Sequence, residues 1–553
     1  MRRIKSILIL VLILLPLISC DNTEPADTGA STQETVDTIP ESPAETEAPP
    51  VLTYSGTEIP RVVESDMQHL PTDPIDEAKE GKIVYSVNSE KAGTVVGATV
   101  QNVGGQSFIV RAEANVGFKF VCWSDGKTDP ERGGDTEEGV YTAIFDYDVS
   151  DLPIIVINTD SRIRSKTRYV GGTISIFGCE EEYIIEDAPL EIRGRGNATW
   201  RFEKKSYKFK LQDKENLFGI ANGKERIWVL LANHCDQSLL RNHVGLELGR
   251  VLDGIVWEPA SIPVEVYLNG DFLGAYLLAE EIKISGDRIN VTDTTPDAID
   301  TGYMLEMTNY VDRDDVTITV VKRDYVIHND LSADEKIKSA QKTFIKDYVN
   351  DCYEALKYGD REKADSLIDL KSLAAVYILQ ETARNHDALW DNFYMWKDAG
   401  GKLYFGPSWD FDIAMSNAWD ESIETTDFFA ANGMGSAKGL ADWFPIALAN
   451  EWFRQIVADE WNAEYDKIKE LPAYIIEEAE RHKASYERNF ERWPIFGQRI
   501  NVEPDSIMAL DSYTAHYTYL SEWMEERIEW LNSAFNHEDY ITEGEGLKRV
   551  RKG

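Results

Sequence analysis

The chain has 553 residues, with 97 Asp or Glu against 57 Lys or Arg, a formal net charge of −40. An acid excess of this size repels nucleic-acid phosphates and anionic membrane surfaces, and it favours basic partners and divalent cations. Hydrophobic residues make up 43% and aromatic residues 11%, which excludes global disorder, and the length accommodates about three to four domains.

Residues 1–19 read as an export leader, with Arg2, Arg3 and Lys5 ahead of an apolar run at 7–15 that is too short to span a bilayer comfortably. The run ends in Leu17, Ile18, Ser19 and Cys20. That ending resembles a lipobox, which implies that Cys20 is acylated and becomes the mature N-terminus of a membrane-anchored, extracytoplasmic lipoprotein facing the cell surface or periplasm. Residues 20–80 are expected to be a linker. Positions 21–50 hold Asp, Glu, Thr, Ser, Ala and Pro with no positive charge, and such a stretch buries too little apolar surface to offset its ordering entropy. Cys122, Cys179, Cys235 and Cys352 are widely spaced with no CxxC pair, so free buried thiols are expected rather than a zinc site.

Residues 82–147 read as a small all-β module. Strands are expected at 82–87, 93–96, 107–114, within 116–126 and at 141–145, separated by glycine turns. The run Gly117-Phe118-Lys119-Phe120 with Trp123-Ser124-Asp125-Gly126 resembles the internalin-type B-repeat of bacterial surface proteins, which implies a spacer or adhesion unit separable from the larger domain C-terminal to it. From residue 152 strands and helices alternate. Residues 154–157 form a buried-strand run, and 238–252 have helical spacing, with Asp236 or Ser238 as cap. The Asn269-Gly270 pair between two apolar runs predicts a hairpin over 264–278. A helix at 371–384 leads into a loop, and 441–535 are mostly helical, with Trp and Tyr at packing intervals.

The chemistry concentrates between residues 385 and 412. Asp387 precedes Asn392 by five positions, the interval at which a protein-kinase catalytic loop places its hydroxyl-orienting Asp and its metal-binding Asn. An aromatic hairpin is expected next, with strands at 392–396 and 403–405. It returns the chain to Asp410-Phe411-Asp412, where a kinase places its Asp-Phe-Gly metal ligand. Asp412 stands where glycine is expected. If the chain were extended there, Asp410 and Asp412 would face opposite ways; in a turn both can reach one metal. Upstream, Arg193, Arg195 and Asn197 flank Gly194 and Gly196, a pattern able to approach phosphates closely. On the following strand Lys208 and Lys210 share a face opposite Tyr207, Phe209 and Leu211. Lys208 is the first candidate for the phosphates and Lys210 the second. Glu247, on the 238–252 helix, is the expected partner of that lysine, and Glu280 or Glu281 can reach ribose or lysine.

Several blocks resemble the CotH family of secreted atypical protein kinases: residues 191–200 with 204–211, residues 230–236 with 239–242, residues 264–281, and the 385–412 segment. The resemblance covers about 152–535 and leaves 536–553 as a tail. It implies an α+β fold, a two-lobed atypical protein-kinase-like domain preceded by the small all-β module and a disordered linker. It further implies ATP and Mg²⁺ or Mn²⁺ as cofactors, with Asp387 as the catalytic residue. Asn392, Asp410 and Asp412 would hold metal, and Arg193, Arg195, Asn197, Lys208, Lys210, Glu247 and Glu280 would surround the nucleotide. The partners would be protein substrates with Ser or Thr acceptors, basic ones by charge, and the membrane through the lipid anchor, with no nucleic acid. Two alternatives stand beside this: a non-catalytic surface or coat scaffold or adhesin with the same fold, and a nucleotidyl or glycosyl transferase, since Asp410-Phe411-Asp412 also fits a DxD pattern.

Overall fold

A computed structural model describes residues 70, 79–149, 151–292, 297–311, 315–387, 391–432 and 443–547. Cys20, the leader and almost all of the linker lie outside the described residues. The all-β module comprises β1 (Lys82–Val87), β2 (Gly93–Gly97), β3 (Val100–Asn102), β4 (Val110–Ala114), β5 (Phe118–Trp123), β6 (Glu131–Arg132) and β7 (Gly139–Tyr147). They form one sheet in the order β3-β1-β7-β5 and a second in the order β2-β4-β6. Glycine turns and alternating apolar residues made five of these strands legible; β3 and β6 are too short to carry a period.

The module's core continues into the next unit. Tyr267 is fully buried against Phe118, Tyr147 and Phe272, with ring centroids 5.4, 4.5 and 5.2 Å away, and its hydroxyl donates to the Gly117 carbonyl. A Cβ at Gly117 would lie 2.4 Å from the Phe272 ring, so glycine there permits the contact. The separability expected from sequence therefore meets a shared aromatic core.

Strands β8 (Ile154–Thr159), β9 (Val170–Phe177), β10 (Ile185–Arg195), β11 (Ser206–Glu215), β12 (Glu225–Leu231), β13 (Ser261–Leu268) and β14 (Asp271–Glu280) close a barrel in the order β10-β11-β12-β14-β13-β8-β9. Only the β8–β13 pairing is parallel. The β13–β14 turn uses Asn269 and Gly270, both at positive φ (52° and 77°), as a two-residue hairpin requires. Alternation places Ile192, Phe209, Trp228, Leu230 and Leu278 inside and leaves Lys208 and Lys210 on the outer face.

Helix α1 (Arg241–Val251) lies between β12 and β13 in sequence. Asp236 initiates it: its carboxylate accepts from the Ser238 and Arg241 backbone N–H groups at 3.0 and 2.8 Å and pairs with the buried Arg241 guanidinium. Beyond the barrel, β15 (Tyr303–Met307), β16 (Thr317–Val320), β17 (Arg323–Ile327), β18 (Phe393–Lys397) and β19 (Leu403–Phe405) form an antiparallel sheet ordered β16-β17-β15-β18-β19. Around it pack α2 (Glu335–Lys357), α3 (Arg361–Leu367), α4 (Leu370–Ala383), α5 (Trp443–Leu448), α6 (Glu451–Ile468), α7 (Leu471–Arg481), α8 (Lys483–Arg492), α9 (Asp505–Met508), α10 (Tyr513–Phe535) and α11 (Glu538–Glu543). One large apolar core unites α1, this sheet and these helices other than α9. The cysteines at 122, 179, 235 and 352 are free thiols.

Candidate active site

Helix α4 carries Asp369 as N-cap, accepting from the Ser372 N–H at 2.8 Å, and ends at Arg384 in the left-handed conformation (φ 43°). That turn throws the chain into the 385–387 loop. Asn385, buried, then serves two segments: its carbonyl accepts from the Asp387 N–H at 3.0 Å, and its amide donates to the Asp410 carbonyl at 3.1 Å. The β18–β19 hairpin does return Asp410 to the loop, and one asparagine ties the two together. His386 is an apolar anchor, its ring 4.5 Å from Phe429 and 5.5 Å from Trp419. Asp391 is structural, accepting from the Thr308 hydroxyl at 2.9 Å and the Asn309 N–H at 2.5 Å. Asn392, at φ 57°, heads β18.

The chain turns at Asp410 (φ 64°), so the extended conformation that would set Asp410 and Asp412 on opposite faces does not occur. Asp387, Asp410 and Asp412 all have carboxyls pushed above the usual range. Burial is the main cause for each, and one another's charge adds to it at Asp387 and Asp412. Asp412 is pushed up to about 8 and accepts from the Asn242 amide at 2.5 Å. Arg195 opposes the rise at Asp410, and its guanidinium lies 4.9 Å from the centre of the Trp409 ring. Buried carboxylates with so little cationic compensation are the donor chemistry of a divalent cation, so the residues present fit Mg²⁺ or Mn²⁺. The three acids do not by themselves form a closed ligand trio. Among the described residues, the one trio of His, Cys, Asp or Glu with ligand atoms within 4.8 Å of one another is the exposed His537, Asp539 and Glu545. The site therefore suits a cation that also takes oxygens from a phosphate and water.

On the barrel side Lys208 Nζ lies 2.7 Å from Glu281 Oε1, and Arg195 Nε lies 3.9 Å from Glu281 Oε2. Although burial opposes it, the cationic pair holds the Glu281 carboxyl at about 2. This corrects the expectation that Glu247 partners Lys208. Asn242 bonds the Phe411 N–H at 2.8 Å, and Gly245 packs on the Phe411 ring. Five residues along a helix rotate by about 140° from Asn242, so Glu247 points away and meets Arg250 at 3.6 Å. Glu280 is corrected likewise: alternation turns it to the other face of β14, where it pairs with Arg288 at 2.9 Å and accepts from the Ala260 N–H at 3.1 Å.

Arg193 is buried, donates to the Lys166 and Gly194 carbonyls and stacks over Tyr169, which commits it to the 165–169 loop. Asn197 accepts from Lys166 Nζ at 3.1 Å. Lys210, opposite Glu191 on β10 and Ile227 on β12, has no carboxylate within 4.0 Å among the described residues. The two glycines have a local cause: a Cβ at Gly194 would strike the Trp200 ring at 2.2 Å, and Gly196 sits at φ 96° against Thr199. Asn385 and Asn242, the two clamps of the site, carry no signal that marks them in the sequence. Both stand inside the blocks that resemble the family, but an asparagine's partner carries no sequence period.

A family model described as CotH kinase protein matches residues 192–531. No curated protein matches the chain.

Proposed function

The chain belongs to the CotH kinase protein family, and from that premise we propose that it is a phosphotransferase, moving the γ-phosphoryl group of ATP to a serine or threonine hydroxyl of an extracytoplasmic protein. The observation that carries this reading is the Asn385 clamp, which ties the Asp387 loop to Asp410, itself within the field of Arg195. A two-lobed kinase-like arrangement accords with it: the barrel brings Lys208, Glu281 and Arg195, and the helical part brings the acids.

In this mechanism Asp387 orients the acceptor hydroxyl and takes its proton as the new phosphorus–oxygen bond forms and the bond to ADP breaks. Burial beside Asp410 raises the basicity of Asp387, which suits that duty. Asp410, Asn392 and Asp412 would hold Mg²⁺ or Mn²⁺, which supplies neutralisation of the phosphate oxygens when bound. Lys208 and Arg195 are the cations for the phosphates, with Glu281 fixing their positions. Phosphoryl transfer proceeds through a loose transition state, so positioning is the larger share of the protein's task.

The test separates the two acids. Asp410→Ala is expected to weaken metal-dependent ATP binding as well as turnover. Asp387→Ala is expected to leave ATP binding nearly intact while transfer falls by ~10²–10⁴, the usual worth of a positioned base. Calorimetry with ATP and metal beside a transfer assay reads both. Equal loss of binding in the two variants contradicts the assignment, and full activity of Asp387→Ala refutes the kinase reading. Product mass distinguishes an added phosphate from a nucleotidyl or glycosyl group.

A further inference from the structure

Three strands across the sheet from β18, a groove of about 580 Å³ runs between edge strand β16 and helix α2. Thr317, Ile318 and Thr319 form one wall. The other comes from α2, where Lys338, Lys342 and Lys346 recur every fourth residue with Ser339 and Thr343 among them, and Glu335 stands at one end. In a chain of net charge −40, three lysines in file are a local reversal of sign. Among the described residues, none of the three has a carboxylate within 4.0 Å; Lys338 and Lys342 are half-buried and Lys346 is exposed.

The strand wall is open in a specific way. Among the described residues β16 pairs with β17 alone, at the end of the five-stranded sheet. The two are joined by Val321 and Lys322, both at positive φ (45° and 65°), the two-residue turn that makes the flanking Val320–Arg323 pair a hydrogen-bonded one. Pairs alternate from there, and the Ile327 N–H donates to the Val316 carbonyl at 2.8 Å. Residues 316, 318 and 320 thus bond inward, and the N–H and C=O groups of Thr317 and Thr319 point to the unpaired edge. Ile318 and Val320 meanwhile sit in the core, which fixes the strand.

Spacing links the two walls. Four residues of helix advance ~6 Å, and two residues of strand advance ~6.6–6.8 Å. Alternate side chains of an extended peptide lying on β16 therefore meet successive lysines of α2 with a mismatch that a lysine stem absorbs. We propose that this groove binds an extended acidic segment of a partner protein, added as a strand to the open edge of β16 with its acidic side chains on Lys338, Lys342 and Lys346. The recognition is independent of the transfer reaction. The net negative charge of the chain weakens non-specific contact with such a segment, and the lysine file beside an unpaired strand edge gives the groove its selectivity.

The probe is a labelled peptide of about twelve residues alternating Glu and Thr, followed by fluorescence anisotropy against the full chain. Binding is expected to weaken as salt rises. Combined Lys338→Glu, Lys342→Glu and Lys346→Glu is expected to weaken it by about tenfold or more, through charge reversal. Thr319→Pro removes an outward N–H and leaves the backbone bonds of the β16–β17 ladder in place, a position where an edge strand tolerates proline, and is expected to weaken binding about threefold or more, whereas Thr319→Val, which loses only the hydroxyl's 2.7 Å bond to Asp324, is expected to bind as wild type. Unchanged affinity in the lysine variant overturns the proposal, as does equal affinity of the wild-type chain for a Lys-Thr peptide. Tighter binding of a single-stranded oligonucleotide, insensitive to Thr319→Pro, also overturns it and assigns the groove to a phosphate chain.

Discussion

Glu281→Gln and Glu247→Gln, made side by side, test which acid holds the barrel lysine. Glu281 sits at about 2 against an unperturbed 4.5, a difference worth roughly 3 kcal/mol between its charged and neutral forms. Its side chain and that of Lys208 are each 18% exposed, so screening trims the stabilisation to about 2 kcal/mol. Glu281→Gln is expected to lower the thermal midpoint at neutral pH by a few degrees. The sign with pH is that of a depressed carboxyl: the stabilisation is present above the unfolded value near 4.5 and is lost as pH falls toward 2, so the variant and wild type converge in acid. Transfer should fall further than stability, by about 10²-fold, because an unpaired Lys208 loses its position against the phosphates. Glu247, facing Arg250 at 3.6 Å on the far side of α1, should cost little in transfer, whatever its pairing with Arg250 contributes to stability. Thermal denaturation across pH and single-turnover transfer from ATP measure both quantities. A Glu247→Gln variant that loses transfer while Glu281→Gln retains it would refute the reasoning.

Tyr267→Ala is expected to cost about 3–5 kcal/mol, the usual range for a buried aromatic, and a chain beginning at residue 152 should melt lower or aggregate relative to one beginning at 79; equal melting of the two makes the shared core dispensable. His516 and His234 are buried and pushed down to about 4, so the unfolded chain binds more protons between 6.5 and 4. Stability is then present above about 6.5 and falls as pH drops toward 4, by at most about 3 kcal/mol for each histidine. His516→Gln should flatten that acid limb in denaturant titrations, and an unaltered limb argues against its part. Mass spectrometry of the mature protein should find Cys20 as the first residue and acylated; a different first residue, or an unmodified Cys20, sinks the lipoprotein reading.

The sequence by itself determined the elements and the order of the motifs. Period-two alternation places Phe209 inside the barrel and Lys208 outside, Asn269-Gly270 makes its hairpin, and the 392–405 hairpin returns Asp410 to the loop that bears Asp387. Each is a local effect, written in residues that are neighbours along the chain. The tertiary structure decided the partners. Lys208 lies opposite Val229 on β12, and Val229 opposite Ala279 on β14. Glu281, two residues on and on the same face, thus reaches the lysine across two strand registers and 73 positions. Glu247 was excluded by a helix rotation that depends on which face of α1 packs against Phe411. The clamps by Asn385 and Asn242 and the sharing of Tyr267 with the β module have the same origin. A side chain's partner is set by registers and crossing geometry that add up over the whole fold, and no window of sequence contains that sum.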